Sequence, residues 1–397
     1  MRRRTPGQAY DRFTEAWRRV DPRKSGDTPR RESGSQPDES HTSAAERGGI
    51  SRRAAIASAA AVAGGGMTLL GVSAQADDGL AVTETLADDS VTPVDLADTL
   101  LPTGTADEIE LIEESVVYTG ADAAAGVFEG EIQATATADP EPGDRETFGF
   151  EDGIILSTGR VEDVEGPNDG DASTDHGEPG DEDLEALEDV GTTNNAAVLE
   201  FAFNVPPGTE TVGFNYLFGS VEYNNFVFEF NDVFAFFVNG TEPDDNAATV
   251  PPGDPDGQPT QIDTVNHGRS FEDPVNPELY VNNDPFNGDD VAVDPTDPPG
   301  PGIGFDPSTG DEPYDTEMDG FSVELGIVAD VDPDDNPQEI KIAVADEIDG
   351  VFDTWVLLEA GSFEVDPDTG PAVRVEGDNV TITDTTVTNE TVSNDTE

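Results

Sequence analysis

Apolar and polar residues alternate with a period of two along much of this chain. Leu199, Phe201, Phe203 and Val205 alternate with polar or small residues until Pro206-Pro207-Gly208 ends the pattern. A period of two bounded by Gly, Pro, Asn and Asp is typical of a β-strand with one buried face. The alternation recurs at 214–218, 226–230, 234–238, 323–327 and 340–344, and an apolar run follows at 355–358.

Helical periodicity is weak and is confined to 96–101 and 109–114. The strands follow one another without helical patterns of 10–15 residues between them, which argues against a parallel βαβ architecture. Stretches rich in Pro, Asp and Gly at 162–183 and 243–312 predict long acidic loop insertions, the second interrupted by a short strand near 279–281. The predicted fold is therefore mostly β, an antiparallel two-sheet sandwich of jelly-roll-like type.

Aromatic residues concentrate in one part of this pattern. Ten of the 28 aromatic residues lie within 214–237. Such a cluster could stack on a ligand, but its strict alternation favours a role in the core, because alternate residues of a strand face the same side. We therefore expect these aromatic faces to hold the two sheets together.

The distribution of charge divides the chain into two parts. Of 18 Lys and Arg, 13 lie within 1–53, whereas 79 of the 87 Asp and Glu lie within 77–397 with only five bases, a formal charge of −74. Such a surface repels itself in dilute buffer, while at molar salt the Debye length falls to about 3 Å. The composition predicts a protein adapted to very saline surroundings, as in halophilic archaea. It argues against nucleic-acid partners and favours divalent cations as ligands.

The segment before the acidic part has the pattern of an export signal. Arg52 and Arg53 precede an uncharged Ala/Gly-rich stretch, and Ala74-Gln75-Ala76 supplies a small-x-small cleavage site. Paired arginines before a weakly apolar stretch predict export through the twin-arginine translocase. The stretch contains four glycines and is a poor membrane span, so we expect no stable membrane anchor after cleavage.

These patterns predict four parts of the chain. They are a polar leader with a twin-arginine signal over 1–76, a linker over 77–90, a β-sandwich over 91–365 and a Thr-, Asn- and acid-rich tail over 366–397. Absence of cysteine excludes disulfides. Asn-x-Thr triplets make candidate glycosylation sites of Asn239, Asn379, Asn389 and Asn394.

The blocks of sequence, in this order, resemble the choice-of-anchor L domain, a family of exported surface proteins, over roughly 91–364. The resemblance is carried by Val117-Tyr118-Thr119-Gly120, Gly153-Ile154-Ile155-Leu156-Ser157-Thr158-Gly159, the run from Phe214 to Tyr223, the run from Phe230 to Val238, Asp319-Gly320-Phe321 and Leu358-Glu359-Ala360-Gly361-Ser362-Phe363. It implies a surface module with no established reaction. The family has variable C-terminal sorting signals. None is visible here, which favours an extracellular protein that is released or loosely held at the cell surface.

Oxygen-bearing side chains at strand ends form the best candidate site. They lie inside the blocks that carry the resemblance, between apolar strands where an unpaired carboxylate would be costly. Ca²⁺ takes six to eight oxygen ligands, so we predict Ca²⁺ as a possible cofactor. An alternative reading is that Asn231 and Asp232 only cap a turn. The candidate ligands are Glu222, Asn231, Asp232, Asp319, Asp346, Asp349 and Asp353.

The sequence contains little that predicts catalysis. It lacks a G-x-S-x-G nucleophile elbow and any cysteine, and its three histidines, His41, His176 and His267, lie outside any catalytic pattern. We expect a surface or secreted module for binding or adhesion, with a surface glycan or a protein as its partner. The alternative is a secreted polysaccharide hydrolase, which needs only two suitably spaced carboxylates.

Overall fold

The computed structural model describes residues 79–102, 109–133, 147–168, 170, 172–253, 257–268, 274–284, 303–304, 313–365 and 373–374. All of them belong to one compact unit, Asp77–Glu397. Among them are one α-helix and seventeen strands. The predicted leader and signal, including Arg52, Arg53, Ala74 and Ala76, lie outside the described residues, as does the predicted tail apart from 373–374.

Two sheets form a sandwich, which confirms the predicted fold class. The larger sheet contains β1 (Ala81–Thr85), β3 (Ala125–Glu129), β4 (Asp152–Ser157), β6 (Thr211–Ser220), β10 (Tyr280–Asn282), β11 (Ile303–Gly304), β12 (Gly320–Ser322), β13 (Glu324–Asp330), β15 (Thr354–Glu359), β16 (Glu364–Val365) and β17 (Val373–Arg374). The smaller sheet contains β2 (Glu110–Thr119), β5 (Thr193–Asn204), β7 (Val233–Val238), β8 (Thr249–Val250), β9 (Gln258–Gln261) and β14 (Gln338–Glu347).

The strand pairs described are antiparallel except for β10 with β11. In the larger sheet β15 lies between β4 and β6, and in the smaller sheet β14 lies between β5 and β7. The two central strands are therefore consecutive in sequence. The segment that joins them, 348–353, passes from one sheet to the other.

Aromatic side chains fill the space between the sheets, as the alternation predicts. The ring of Phe214 on β6 lies 4.0 Å from that of Phe236 on β7, and the ring of Tyr216 lies 4.9 Å from that of Phe234. These four residues are buried. The contacts join the inner faces of the two sheets and make this aromatic layer the centre of the core.

The outer face of the smaller sheet is covered by a second, smaller core. Leu184 and Leu187 pack over Ala235, Phe237 and Ala343, which lie on the opposite side of the strands from the aromatic layer. This explains why β7 is apolar on both faces. The helix α1 (Pro93–Leu100) buries Leu96, Ala97 and Leu100 and begins with a capping box between Thr92 and Asp95.

Three expectations about local structure are corrected. Within the segment 109–114, residues 110–114 belong to a strand, β2, which pairs with β5. The segment 226–230 is a turn, in which the N–H of Phe226 donates to the carbonyl of Glu222 and that of Phe230 to the carbonyl of Phe226. Ala81–Thr85, inside the predicted linker, is a strand that pairs with β3. Among the described residues, the structure has no helix long and apolar enough to cross a bilayer.

Candidate functional site

The inner face of the sandwich changes from aromatic to polar at one end. Along β6 the inward positions run from Phe214 through Tyr216 and Phe218, and the next position with the same orientation is Ser220. The other strands behave in the same way, because a period of two keeps each position on the same face. The polar residues that end the four inner rows are Ser220 on β6, Asp232 before β7, Asp346 on β14 and Thr354 on β15.

Asp232 joins the two sheets at this end. Its Oδ2 accepts a hydrogen bond of 2.5 Å from the Thr354 hydroxyl, and its Oδ1 accepts one of 2.9 Å from the N–H of Glu347. The Thr354 hydroxyl also lies 2.7 Å from Ser220 Oγ. Burial raises the pKa of Asp232 to about 8, although both hydrogen bonds act in the opposite direction. Asp232 is 1% exposed, so its carboxyl serves as an internal link.

A β-bulge positions Asp346. Between Val344 and Asp346 the register with β5 shifts, so that Asn195 is an extra residue with a φ of 48°. The bulge directs the Asn195 side chain inward, where its Nδ2 donates to Asp346 Oδ2 at 3.0 Å. The other oxygen of Asp346, Oδ1, is buried and has no hydrogen-bond partner. Burial and the charge of Asp232 raise the pKa of Asp346, while hydrogen bonds from Thr158 and Asn195 act in the opposite direction.

Glu222 lies on the turn that follows β6. Its carboxyl is 2% exposed, and its Oε2 has no hydrogen-bond partner. Burial raises its pKa well above the ordinary value, and so do the nearby negative charges of Asp232, Asp349, Asp346 and Asp319. Five of the seven predicted ligands thus lie close enough together to affect one another's ionisation.

Asp353 and Asp349 flank this group in the segment that joins β14 to β15. The N–H of Thr174 donates to Asp353 Oδ1 at 2.6 Å, while Asp353 Oδ2 is buried without a hydrogen-bond partner. Asp349 Oδ1 accepts from the N–H of Val351 at 3.0 Å. Burial raises the pKa of each carboxyl to about 6. We refer to Glu222, Asp232, Asp346 and Asp353 as the acidic end.

Asn231 has a structural role. Its Nδ2 donates to Gln261 Oε1 at 2.8 Å and its Oδ1 accepts from the N–H of Asp263 at 2.9 Å. The amide therefore connects the turn before β7 to the end of β9 and the residues after it, which is a long-range contact and not the local turn cap of the alternative interpretation. Asp319 accepts a hydrogen bond of 2.9 Å from Asn168, on a neighbouring loop.

In the described residues the ion pairs of Lys and Arg involve carboxylates outside the acidic end, and the basic group that acts on the acidic end is His176, whose charge lowers the pKa of Asp353. Arg160 pairs with Glu162 and Asp163, and Lys341 pairs with Asp181 and Asp183. In this part of the chain, no three side chains of His, Cys, Asp or Glu already form a group that could hold a metal ion. The carboxyl groups of the acidic end are thus near one another without being arranged around a common point.

Three bulky residues close in sequence to the acidic end have left-handed backbone conformations. Phe228, Ile348 and Phe352 have φ values of 65°, 75° and 70°. Such values are rare for bulky or β-branched residues and cost about 1–3 kcal/mol each. The ring of Phe226 stacks on that of Phe352 at 5.3 Å. Phe226, Phe228 and Phe352 are half-buried and Ile348 is exposed. We refer to these four residues, which flank the acidic end in sequence, as the apolar rim.

The one candidate glycosylation site within the described residues is Asn239. Its Nδ2 donates to Gln338 Oε1 at 2.7 Å, and its Oδ1 accepts from the N–H of Glu339 at 2.9 Å. The folded protein therefore holds this amide in two hydrogen bonds. Asn379, Asn389 and Asn394 lie outside the described residues.

Comparison with known proteins identifies one relationship. The family model described as Choice-of-anchor L domain matches residues 86–364, which is more than half of the chain. No curated protein and no solved structure matches the chain. The match starts close to β1 and ends at β16, so it spans nearly the whole sandwich. This chain belongs to the choice-of-anchor L family and is a surface-associated protein.

Proposed function

We propose that this protein is exported by the twin-arginine route and acts in concentrated salt as an adhesion module that binds a surface polysaccharide. A divalent cation stabilises the module. The observation that carries this proposal is the apolar rim over the acidic end. Phe228, Ile348 and Phe352 have unfavourable left-handed backbone conformations in this rim. Strained backbone conformations of this kind are concentrated at binding and active sites.

The chemistry of the rim favours a polysaccharide as the partner. Phe226 and Phe352 offer partly exposed aromatic faces, on which the apolar faces of sugar rings can stack. Asp349 is half-buried between Ile348 and Phe352 and can accept hydrogen bonds from sugar hydroxyls. The surrounding negative charge disfavours nucleic acids and anionic lipids. A protein partner is the alternative outcome of the test.

The proposal includes no catalytic step. Glu222 and Asp232 have raised pKa values, as an acid catalyst requires, but their carboxyl groups are only 2% and 1% exposed. Both Asp232 oxygens already accept hydrogen bonds from within the protein. A glycosidase needs both carboxyl groups to reach the scissile bond, which this burial opposes.

Binding to purified envelope polysaccharide in molar KCl tests the proposal. We expect F352A to weaken binding at least tenfold, because it removes one face of the stacked pair. V117A is the matched control, since Val117 is an exposed apolar residue on β2, and we expect it to bind normally. Equal binding by both variants and the unaltered protein would refute the rim as the binding surface. Binding that survives enzymatic removal of the polysaccharide would indicate a protein partner instead.

A further inference from the structure

Three buried carboxylate oxygens at the acidic end have no hydrogen-bond partner. They are Glu222 Oε2, Asp346 Oδ1 and Asp353 Oδ2, on side chains that are 2%, 3% and 2% exposed. Buried polar atoms in folded proteins are nearly always paired, and an unpaired buried carboxylate is costly. These oxygens therefore indicate a ligand that supplies positive charge to the inside of the sandwich.

We propose that the acidic end is a divalent-cation site in which Glu222 and Asp346 are direct ligands and Asp232 and Asp353 complete the charge. This inference deepens the proposed function, on which its link to polysaccharide binding rests. These four residues are a subset of the seven ligands predicted from the sequence. Asn231 is excluded because its amide is already engaged with Gln261 and Asp263.

A cation accounts for the arrangement better than an ion pair does. Four carboxyl groups are buried together, and the ion pairs of Arg160 and Lys341 involve other carboxylates. His176, whose charge lowers the pKa of Asp353, could neutralise at most one of the four. The unpaired donor atoms are carboxylate oxygens, which are the ligands that hard cations such as Ca²⁺ and Mg²⁺ prefer.

The properties of the site favour Ca²⁺ over Mg²⁺. Mg²⁺ requires nearly ideal octahedral geometry, whereas Ca²⁺ accepts six to eight oxygens in a flexible arrangement. The described carboxyl groups lie near one another without surrounding a common point, so a cation that tolerates irregular coordination suits them better. Glu222 has a long side chain on a turn outside regular strands, so it can move toward Asp346 when a cation neutralises the pair.

The cation would connect both sheets and the apolar rim. Glu222 follows β6 of the larger sheet, and Asp346 belongs to β14 of the smaller sheet. Phe226 and Phe228 come shortly after Glu222, while Ile348 and Phe352 lie between Asp346 and Asp353. An ion bound by these carboxylates therefore fixes both ends of the rim segments. Polysaccharide binding should consequently depend on Ca²⁺.

Calcium titration of the purified protein in molar KCl, after treatment with EGTA, tests the site without any polysaccharide. We expect Ca²⁺ to raise the melting temperature and to bind with a stoichiometry near one, as measured by equilibrium dialysis. E222Q and D346N should each weaken Ca²⁺ binding at least tenfold. E339Q is the matched control, because Glu339 is an exposed carboxylate on the same strand as Asp346, and it should bind Ca²⁺ normally.

The cation-free state of the same variants provides a second measurement. Without Ca²⁺, E222Q and D346N should melt at a higher temperature than the unaltered protein, because each replaces a buried ionisable carboxyl group, which is costly to bury, with a neutral amide. A melting temperature above that of the unaltered protein would also show that the variants fold. An unchanged melting temperature with Ca²⁺, or equal Ca²⁺ affinity in E222Q and E339Q, would overturn the site. A response to KCl alone, with none to Ca²⁺, would also overturn it.

Polysaccharide binding measured with Ca²⁺ and with EGTA separates the two proposals. Loss of binding in EGTA supports the link between the site and the rim. Equal binding in both conditions overturns that link and leaves the proposed function intact. Calcium binding without polysaccharide binding in either condition refutes the proposed function and leaves the cation site standing.

Discussion

The hydroxyl of Thr354 and the carboxyl of Asp232 connect the two sheets through a hydrogen bond of 2.5 Å. Thr354 begins β15 and Asp232 directly precedes β7, so the bond lies where the aromatic layer ends. Both residues are almost fully buried. At this end of the sandwich the hydrogen bond connects the two sheets, as the contacts between aromatic rings do in the rest of the core.

We expect T354V to destabilise the protein by about 1–3 kcal/mol, because it leaves Asp232 Oδ2 buried without a donor while nearly preserving side-chain volume. Urea unfolding in molar KCl measures this change. T354S is the control, since it keeps the hydroxyl and should recover most of the stability. If T354V and T354S were equally stable, the hydrogen bond would contribute nothing measurable.

Lys341 is the second internal charge whose removal should be costly. Its Nζ lies 2.7 Å from Asp181 Oδ2 and 2.5 Å from Asp183 Oδ2, and the residue is 7% exposed. K341M should destabilise the fold by about 3 kcal/mol, because it leaves two carboxylates over the smaller sheet without a counter-charge. R160Q, which breaks an exposed pair, should cost less than about 1 kcal/mol. Chemical unfolding compares the two variants, and equal losses would contradict the difference in burial.

His267 should make stability depend on pH. Burial lowers its pKa to about 4, against about 6.5 in an unfolded chain, and its ring lies 5.0 Å from that of Tyr280. Between pH 6.5 and pH 4, His267 is therefore protonated in the unfolded state and mostly neutral in the folded state. The associated stability is present above pH 6.5 and is lost as the pH falls toward 4, by about 2 kcal/mol at pH 5.

Unfolding of H267Q and the unaltered protein at pH 7 and pH 5 isolates this effect. The buried carboxyl groups with raised pKa values stabilise the fold as the pH falls, but they are common to both proteins and cancel in the comparison. H267Q should lose less stability than the unaltered protein between these two conditions. Identical losses would show that His267 is accessible to protons in the folded state.

Salt should stabilise the whole sandwich. The acidic part of the chain has 79 Asp and Glu and five bases, so its surface charge is largely unscreened in dilute buffer. We expect the melting temperature to rise by about 10 °C between dilute buffer and molar KCl, which corresponds to roughly 3–5 kcal/mol for a domain of this size. Calorimetry at a series of KCl concentrations, with EGTA present throughout, measures it. A midpoint independent of KCl would contradict adaptation to salt.

Asn239 should carry little glycan in the folded, exported protein. Its amide already bonds to Gln338 and Glu339, and glycosylation would require these contacts to open. Mass spectrometry of peptides from the secreted protein measures its occupancy. The tail sites Asn379, Asn389 and Asn394 provide the comparison within the same sample. High occupancy of Asn239 would show that glycosylation precedes folding of this turn.

Much of the fold was predictable because alternation directly reflects burial on one face. The patterns at 214–218, 234–238 and 340–344 correspond to β6, β7 and β14. The same pattern failed at 226–230. Phe226 and Phe230 contact each other with ring centroids 5.7 Å apart in a local turn, and a period of two does not distinguish that arrangement from a strand.

The acidic end was predictable only in part. Glu222, Asp232, Asp346 and Asp353 stood out as acids within apolar blocks, and the fold brings them together. The residues that position them did not stand out. Thr354 is 122 positions from Asp232, and Asn195 is 151 from Asp346, so only the sheet pairing and a β-bulge bring them into contact. One signal was available, because Ser220 and Thr354 each extend a buried row by one polar position.

The central positions of β14 and β15 make both sheets depend on the C-terminal part of the sandwich. Without β14, β5 lacks a partner strand on one side, and without β15, β6 lacks one. The aromatic side chains then have no enclosed space to fill. A chain that ends before β15 therefore cannot close the aromatic layer between the two sheets. Truncation before Gln338 would leave both sheets incomplete and prone to aggregate.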